Sequence, residues 1–78
     1  MNKLNDKGQR HGYWEDYHHD GTLNWKGHFD NNLRDGYWES YWSNGKLLYK
    51  GNFINDSLNG YWQYCNSNGN LTLKEFYL

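Results

Sequence analysis

Glu15 and Glu39 are the residues with the clearest geometry for acid–base work. They stand 24 positions apart, with Gln63 a further 24 along. If that interval is a stacking period, the two carboxylates lie about 10 Å apart, two strands removed at 4.7–4.9 Å per strand. The glutamine in the third position and the polar setting read as a solvated rim instead of a catalytic pair. His18 and His19 are adjacent, so a strand would point them to opposite faces. His11, His28 and the single Cys65 fall at other phases, so no three or four ligands converge as zinc requires. Cys65 has no cationic neighbour in sequence to lower its thiol pKa. No Ser/His/Asp set, phosphate loop or dinucleotide fingerprint occurs. The chain therefore reads as non-enzymatic, with neither cofactor nor metal.

Aromatic residues remain as the carriers of function. The chain has 78 residues, with Trp 5, Tyr 8 and Phe 3, while apolar residues reach only 36%. Each buried ring removes about 150–250 Å² from water, so a few rings replace many aliphatics in a small core. They recur in register. Gly-Tyr-Trp opens at Gly12, Gly36 and Gly60. Asp20-Gly21, Asn44-Gly45 and Asn68-Gly69 share a second position, and Leu23, Leu47 and Leu71 follow. Lys-Gly recurs at Lys26-Gly27 and Lys50-Gly51, then Phe29, Phe53 and Tyr77. The chain is thus one domain, 1–78: a half repeat over 6–11, then repeats 12–35, 36–59 and 60–78.

Asn-Gly or Asp-Gly between alternating segments marks a hairpin, because both residues tolerate positive φ. Each unit reads as one hairpin, with strands near 37–42 and 46–53. Looser turns at Gly8, Asn32 and Asp56 link the units. The expected fold is all-β: a single antiparallel meander of stacked hairpins, each touching only its neighbours. Gly27 and Gly51 offer seats for a ring from an adjacent strand. A two-residue Asn44-Gly45 loop sets Trp38 opposite Gly51, and a three-residue loop with a bulge sets Tyr37 there instead. A bulge inside the first strand would bring both Trp38 and Tyr41 to the core side. The reading taken is a core of the tryptophans with the Leu/Phe column, and Tyr13, Tyr37 and Tyr61 partly exposed.

The pattern "GYWESYWSNGKLLYKGNF" and its counterpart "GYWEDYHHDGTLNWKGHF" resembles the MORN repeat, in the bacterial variant found in YwqK-like antitoxin-component proteins. The likeness spans about residues 6–78. It implies a hairpin solenoid used as a protein-interaction scaffold, with lipid binding proposed for some arrays. The third unit departs from the pattern. Glu75 stands for the glycine and Cys65 for the tyrosine, as in a terminal cap.

The candidate docking residues are Tyr13, Tyr17, Tyr37, Tyr41, Trp42 and Tyr61, with Glu15 and Glu39 setting charge preference. The expected partner is a protein, occluded as an antitoxin, immunity protein or phage-type inhibitor would occlude it, and a basic one such as a nuclease toxin suits the mildly acidic surface. The alternatives are a nucleotide, sugar or choline-like ligand in an aromatic groove, and self-association through open sheet edges. The net charge is −1 without a basic cluster, which argues against nucleic acid and against anionic membrane surfaces. The N-terminal stretch lacks an apolar secretion segment, and the lone cysteine allows no internal disulfide. Both lead to an expected cytoplasmic location.

Overall fold

A computed structural model describes residues 2–78. The strands are β1 (Gly12–Tyr17), β2 (Leu23–Asp30), β3 (Leu33–Arg34), β4 (Gly36–Tyr41), β5 (Leu47–Ile54), β6 (Ser57–Cys65) and β7 (Leu71–Tyr77). They form one antiparallel sheet in the order β1-β2-β4-β5-β6-β7, with β3 pairing β2 just ahead of β4. The Cα envelope measures 41 × 35 × 12 Å, so the molecule is a single layer. The all-β meander expected from the repeat is the fold observed.

The two kinds of turn exchange the roles the sequence suggests. The links between units are the tight ones. Asn31-Asn32 and Asn55-Asp56 all have positive φ, which is the two-residue type I′ turn whose twist matches the strands it joins. The Asn44-Gly45 turn is the longer one. Gly45 N–H donates to the Trp42 carbonyl at 2.9 Å, and Trp42 N–H to that of Lys46 at 2.8 Å. Gly45 has φ +87°, while Asn44 is not among the positive-φ residues. This is a three-residue loop with glycine in the left-handed position.

A three-residue loop alone would set Tyr37 opposite Gly51. The register nevertheless pairs Trp38 with Gly51, because it slips by one near the loop: Ser40 faces Tyr49, Tyr41 faces Leu47, and Leu48 has no partner. The bulge lies in the second strand of the hairpin, not in the first. Both competing sequence signals are thereby met, but Tyr41 stays on the face away from the core. The leucine column goes with it. Directly opposed residues share a side of the sheet, so Leu47 joins Tyr41, and the same slip pairs Leu23 with Tyr17 and Leu71 with Cys65. Leu71 is exposed and Leu23 and Leu47 are half-buried. The expected Leu/Phe core is corrected to a Trp/Phe core.

A larger irregularity sits where units meet. Lys50 pairs with Gln63 and Asn52 with Asn59, so Gly60-Tyr61-Trp62 stand opposite Gly51 alone. Gly60 takes φ +73° to allow the excursion. The extra length folds the Trp62 ring onto Gly51 and, one unit earlier, the Trp38 ring onto Gly27. The seats predicted at these glycines are real, and each is filled from the following unit. Buried Phe29, Trp38, Phe53 and Trp62 form the core. Edge-to-face contacts run along it at 5.0, 5.9 and 4.9 Å between centroids, a geometry that adds about 0.5–1.5 kcal/mol per pair beyond burial. Both buried indole N–H groups are satisfied: Trp38 donates to the His28 carbonyl at 2.9 Å and Trp62 to that of Asn52 at 3.0 Å.

The two sheet edges differ. Residues 2–10 lie along β1. Leu4 bridges Arg10, Asn2 N–H donates to the Tyr13 carbonyl at 3.0 Å, and Trp14 Nε1–H to that of Lys3 at 3.0 Å. Among the described residues nothing covers the outer side of β7.

Candidate functional site

The side of the sheet opposite the tryptophans carries a repeated tyrosine–glutamate arrangement. Strand alternation puts Tyr37, Glu39 and Tyr41 on one face. Both phenols donate to Glu39: Tyr37 to Oε2 at 2.7 Å, and Tyr41 to Oε1. One unit earlier Tyr13 and Tyr17 donate to Glu15 Oε2 and Oε1 at 2.8 and 2.6 Å. Each carboxylate thus ties down two rings. In the third unit the column reads Tyr61, Gln63, Cys65, and the motif is absent.

The middle residues of these columns continue across the sheet. Glu15 pairs with Lys26, Lys26 with Glu39, Glu39 with Lys50, Lys50 with Gln63, and Gln63 with Lys74. Lys26 Nζ lies 3.4 Å from Glu39 Oε1. The row alternates in sign at its β1 end and carries only lysines as charges at its β7 end.

These contacts shift the ionisation of the groups involved. Burial, followed by the hydrogen bond to Glu15, pushes the Tyr13 phenol up to about 12. Burial and Glu39 do the same for Tyr37, also to about 12, and raise Tyr41 as well. The bond to Glu15 raises Tyr17. Glu15 is lowered by the phenols of Tyr17 and Tyr13. Glu39 is pushed up by its partial burial, but donation from Tyr41, Tyr37 and Lys26 outweighs this and leaves it below the ordinary carboxylate value. Glu15 and Glu39 are thus favoured as anions, and the phenols of Tyr13, Tyr17, Tyr37 and Tyr41 as neutral donors to them.

Of the residues singled out from sequence, Tyr13, Tyr17, Tyr37, Tyr41, Tyr61, Glu15 and Glu39 share this face. Trp42 stands apart at the loop end. Its Nε1–H donates to the Cys65 carbonyl at 3.1 Å, and His18, its counterpart one unit earlier, sets Nε2 2.9 Å from the Tyr41 carbonyl. Trp42 serves as a rung between units. Tyr61 is 71% exposed and Phe76 is 54% exposed, and their rings lie 4.6 Å apart. Phe76 escaped the sequence reading because its counterparts at the 24-residue interval are Asn52 and His28, so no aromatic residue recurs in that column. Among the described residues no group of three His, Cys, Asp or Glu side chains converges.

The tryptophan side holds a second repeated feature, also missed. Arg34 lies over the Phe53 ring, Cζ 4.2 Å from its centroid, with its Nε 2.6 Å from Asp56 Oδ1. Arg10 lies over Phe29 at 4.1 Å, but Asn32 takes the place of the aspartate. The 24-residue spacing of Arg10 and Arg34 was the available signal, hidden among turn residues. Beside these stacks are two open hollows. One is about 330 Å³ and includes Arg10, Trp25, Trp38 and Tyr49. The other is about 580 Å³ and includes Tyr49, Trp62, Tyr64 and Tyr77.

A meander of 24-residue hairpins with a tryptophan seated on a glycine in each junction defines a class of β-repeat protein. The sequence model of the MORN repeat variant matches residues 10–31 and 34–55, more than half of the chain, and the chain belongs to that repeat family. The matched segments open at Arg10 and Arg34, 24 residues apart, and do not include the third unit. MORN repeats are in general non-enzymatic modules that bind proteins or membranes. No curated protein and no solved structure matches the chain.

Proposed function

We propose that this chain is a protein-binding module that docks its partner on the tyrosine side of the sheet. The observation that carries the reading is the exposed pair Tyr61 and Phe76, whose rings meet at a tilt of 55° with centroids 4.6 Å apart, beside the tyrosines fixed by Glu15 and Glu39. Aromatic residues held rigid at a surface offer large contact area at small entropic cost, and they are enriched where proteins meet. The tryptophan-side rings are largely spent on the core. In its finer form the proposal is that the chain acts in the cytoplasm as a neutraliser, an antitoxin, immunity protein or inhibitor that covers its partner's working surface.

Titration against the product of the adjacent gene tests this. Binding by the wild type, weakened about ten-fold or more by Tyr61→Ala with Phe76→Ala and unchanged by Arg10→Ala on the other side, is the expected result. Binding lost through Arg10→Ala alone would refute it.

A second reading places a small anionic aromatic ligand, such as a nucleotide, in the hollow beside Arg10. It is favoured by one observation: Arg34 has a carboxylate partner while Arg10 has an amide. A nucleotide-dependent rise in unfolding temperature, abolished by Arg10→Ala, would support it.

A further inference from the structure

The charge row on the tyrosine side has a property that concerns the whole face. In order across the sheet it reads Glu15, Lys26, Glu39, Lys50, Gln63, Lys74. Reverse that order and lay it against itself. Glu15 then meets Lys74, Lys26 meets Gln63, and Glu39 meets Lys50. No like charges oppose. This is the pairing produced by a two-fold axis lying between the sheets, parallel to the strands and passing between β4 and β5. Such an isologous contact uses the same patch on both copies.

The flanking columns accept the same reversal. At the loop ends, Tyr17 meets Leu71, Leu23 meets Cys65 and Tyr41 meets Leu47. At the other end Tyr13 meets Phe76 and His28 meets Tyr61. Next to the axis Tyr37 meets Asn52; apolar and aromatic groups otherwise face one another on both sides of the charged row. Leu71 and Phe76 are among the large apolar residues the monomer leaves exposed, and here they find cover.

We infer that two copies of this chain pair face to face through their tyrosine sides, in reversed strand order. The inference rests on the reading of that side as the docking surface, and it names a second copy as the occupant. The sheet outline of 41 × 35 Å exceeds the roughly 800 Å² each partner gives to a standard interface. The edges are less suited. β1 is covered by residues 2–10, and two-fold pairing of β7 centred on Lys74 or Glu75 sets like charges opposite each other. A foreign partner that uses the tyrosine side must displace the second copy.

Charge exchange tests this by analytical ultracentrifugation. The wild type is expected to sediment as a dimer. Lys74→Glu, at an exposed position, sets a second carboxylate against Glu15 twice per dimer and should weaken association about ten-fold, as should Glu15→Lys. Both changes in one chain restore opposite charges at both contacts and should recover the dimer, and a mixture of the two single variants should form a heterodimer. Unfolding temperature of Lys74→Glu checks that the fold is kept. A wild type monomeric at its highest soluble concentration would overturn the inference. If that monomer still captures a partner through Tyr61, the docking face stands and only self-pairing falls. A dimer indifferent to both exchanges, or a double variant that stays monomeric, would overturn it equally.

Discussion

The indole of Trp62 occupies the space where a side chain at Gly51 would stand, and its Nε1–H reaches the carbonyl of the next residue, Asn52, at 3.0 Å. Trp38 holds the same relation to Gly27 and His28 one unit earlier. This contact crosses from one hairpin to the next, so it joins the units as well as filling the core.

Gly51→Ala places a methyl group inside the Trp62 ring, and the ring cannot yield without losing its bond to Asn52. The expected cost is about 1–3 kcal/mol or more, as for overpacked cores. For a domain of this size each kcal/mol lowers the unfolding temperature by roughly 4–8 °C. The equivalent residue in the third unit is Glu75, which is exposed. Glu75→Ala should stay within about 0.5 kcal/mol. Thermal unfolding followed by tryptophan fluorescence compares the two.

Trp62 is the largest fully buried side chain, at 1% exposure. Trp62→Ala should cost about 3–5 kcal/mol, enough to unfold a domain of marginal stability. Trp14→Ala removes a half-buried ring and should cost distinctly less. Urea unfolding of both variants gives the order, and a larger loss at Trp14 would contradict the placement of the core.

Asp56 is held below the usual carboxylate range by its bonds to Arg34. A carboxyl with a depressed folded value stabilises above its unfolded value of about 3.9, and this contribution is lost as pH falls through the folded value. The pair is exposed, so its worth is at most about 1 kcal/mol. Asp56→Asn copies the arrangement already present at Asn32. It should lower stability slightly at pH 7, and by progressively less as the pH falls below about 3.9 and through the folded value. Asn32→Asp should raise stability at pH 7 by giving Arg10 a charged partner. Unfolding temperature against pH measures both.

The phenols of Tyr13 and Tyr37, pushed up to about 12, keep their protons when ordinary tyrosines ionise. Because the folded value is raised, the associated stability is complete below about pH 10 and disappears as pH rises toward 12. Glu39→Gln removes the carboxylate contribution and leaves burial, so Tyr37 should move only part of the way back toward 10. Absorbance at alkaline pH, compared between wild type and Glu39→Gln, reads this directly. An unchanged titration would mean that Glu39 does not hold the ring.

Much of this architecture was legible in the residues. Trp38, Trp62, Phe29 and Phe53 could be assigned to the core from their recurrence, and Gly27 and Gly51 as seats from their lack of a side chain. The candidate tyrosines were named from their recurrence, and strand alternation in β1 and β4 then sets them on one face. The arginine stacks went unread because Arg10 and Arg34 sit in turn-rich segments, where a charged residue carries no signal of burial over a ring.

The sequence by itself determined the number of hairpins and their period, since these follow from spacing and residue type, which are local, while the register decided that Trp38 and not Tyr37 faces the core. Tertiary structure alone decided which neighbour fills each glycine seat, and to which face the leucines turn. Those outcomes depend on two kinds of bulge, one beside each Asn-Gly or Asp-Gly loop, as at Leu48, and one where units meet, as at Gly60-Tyr61-Trp62. A bulge is a mismatch in length between paired strands, so it exists only once the pairing is made. One unpaired residue reverses the facing of everything beyond it.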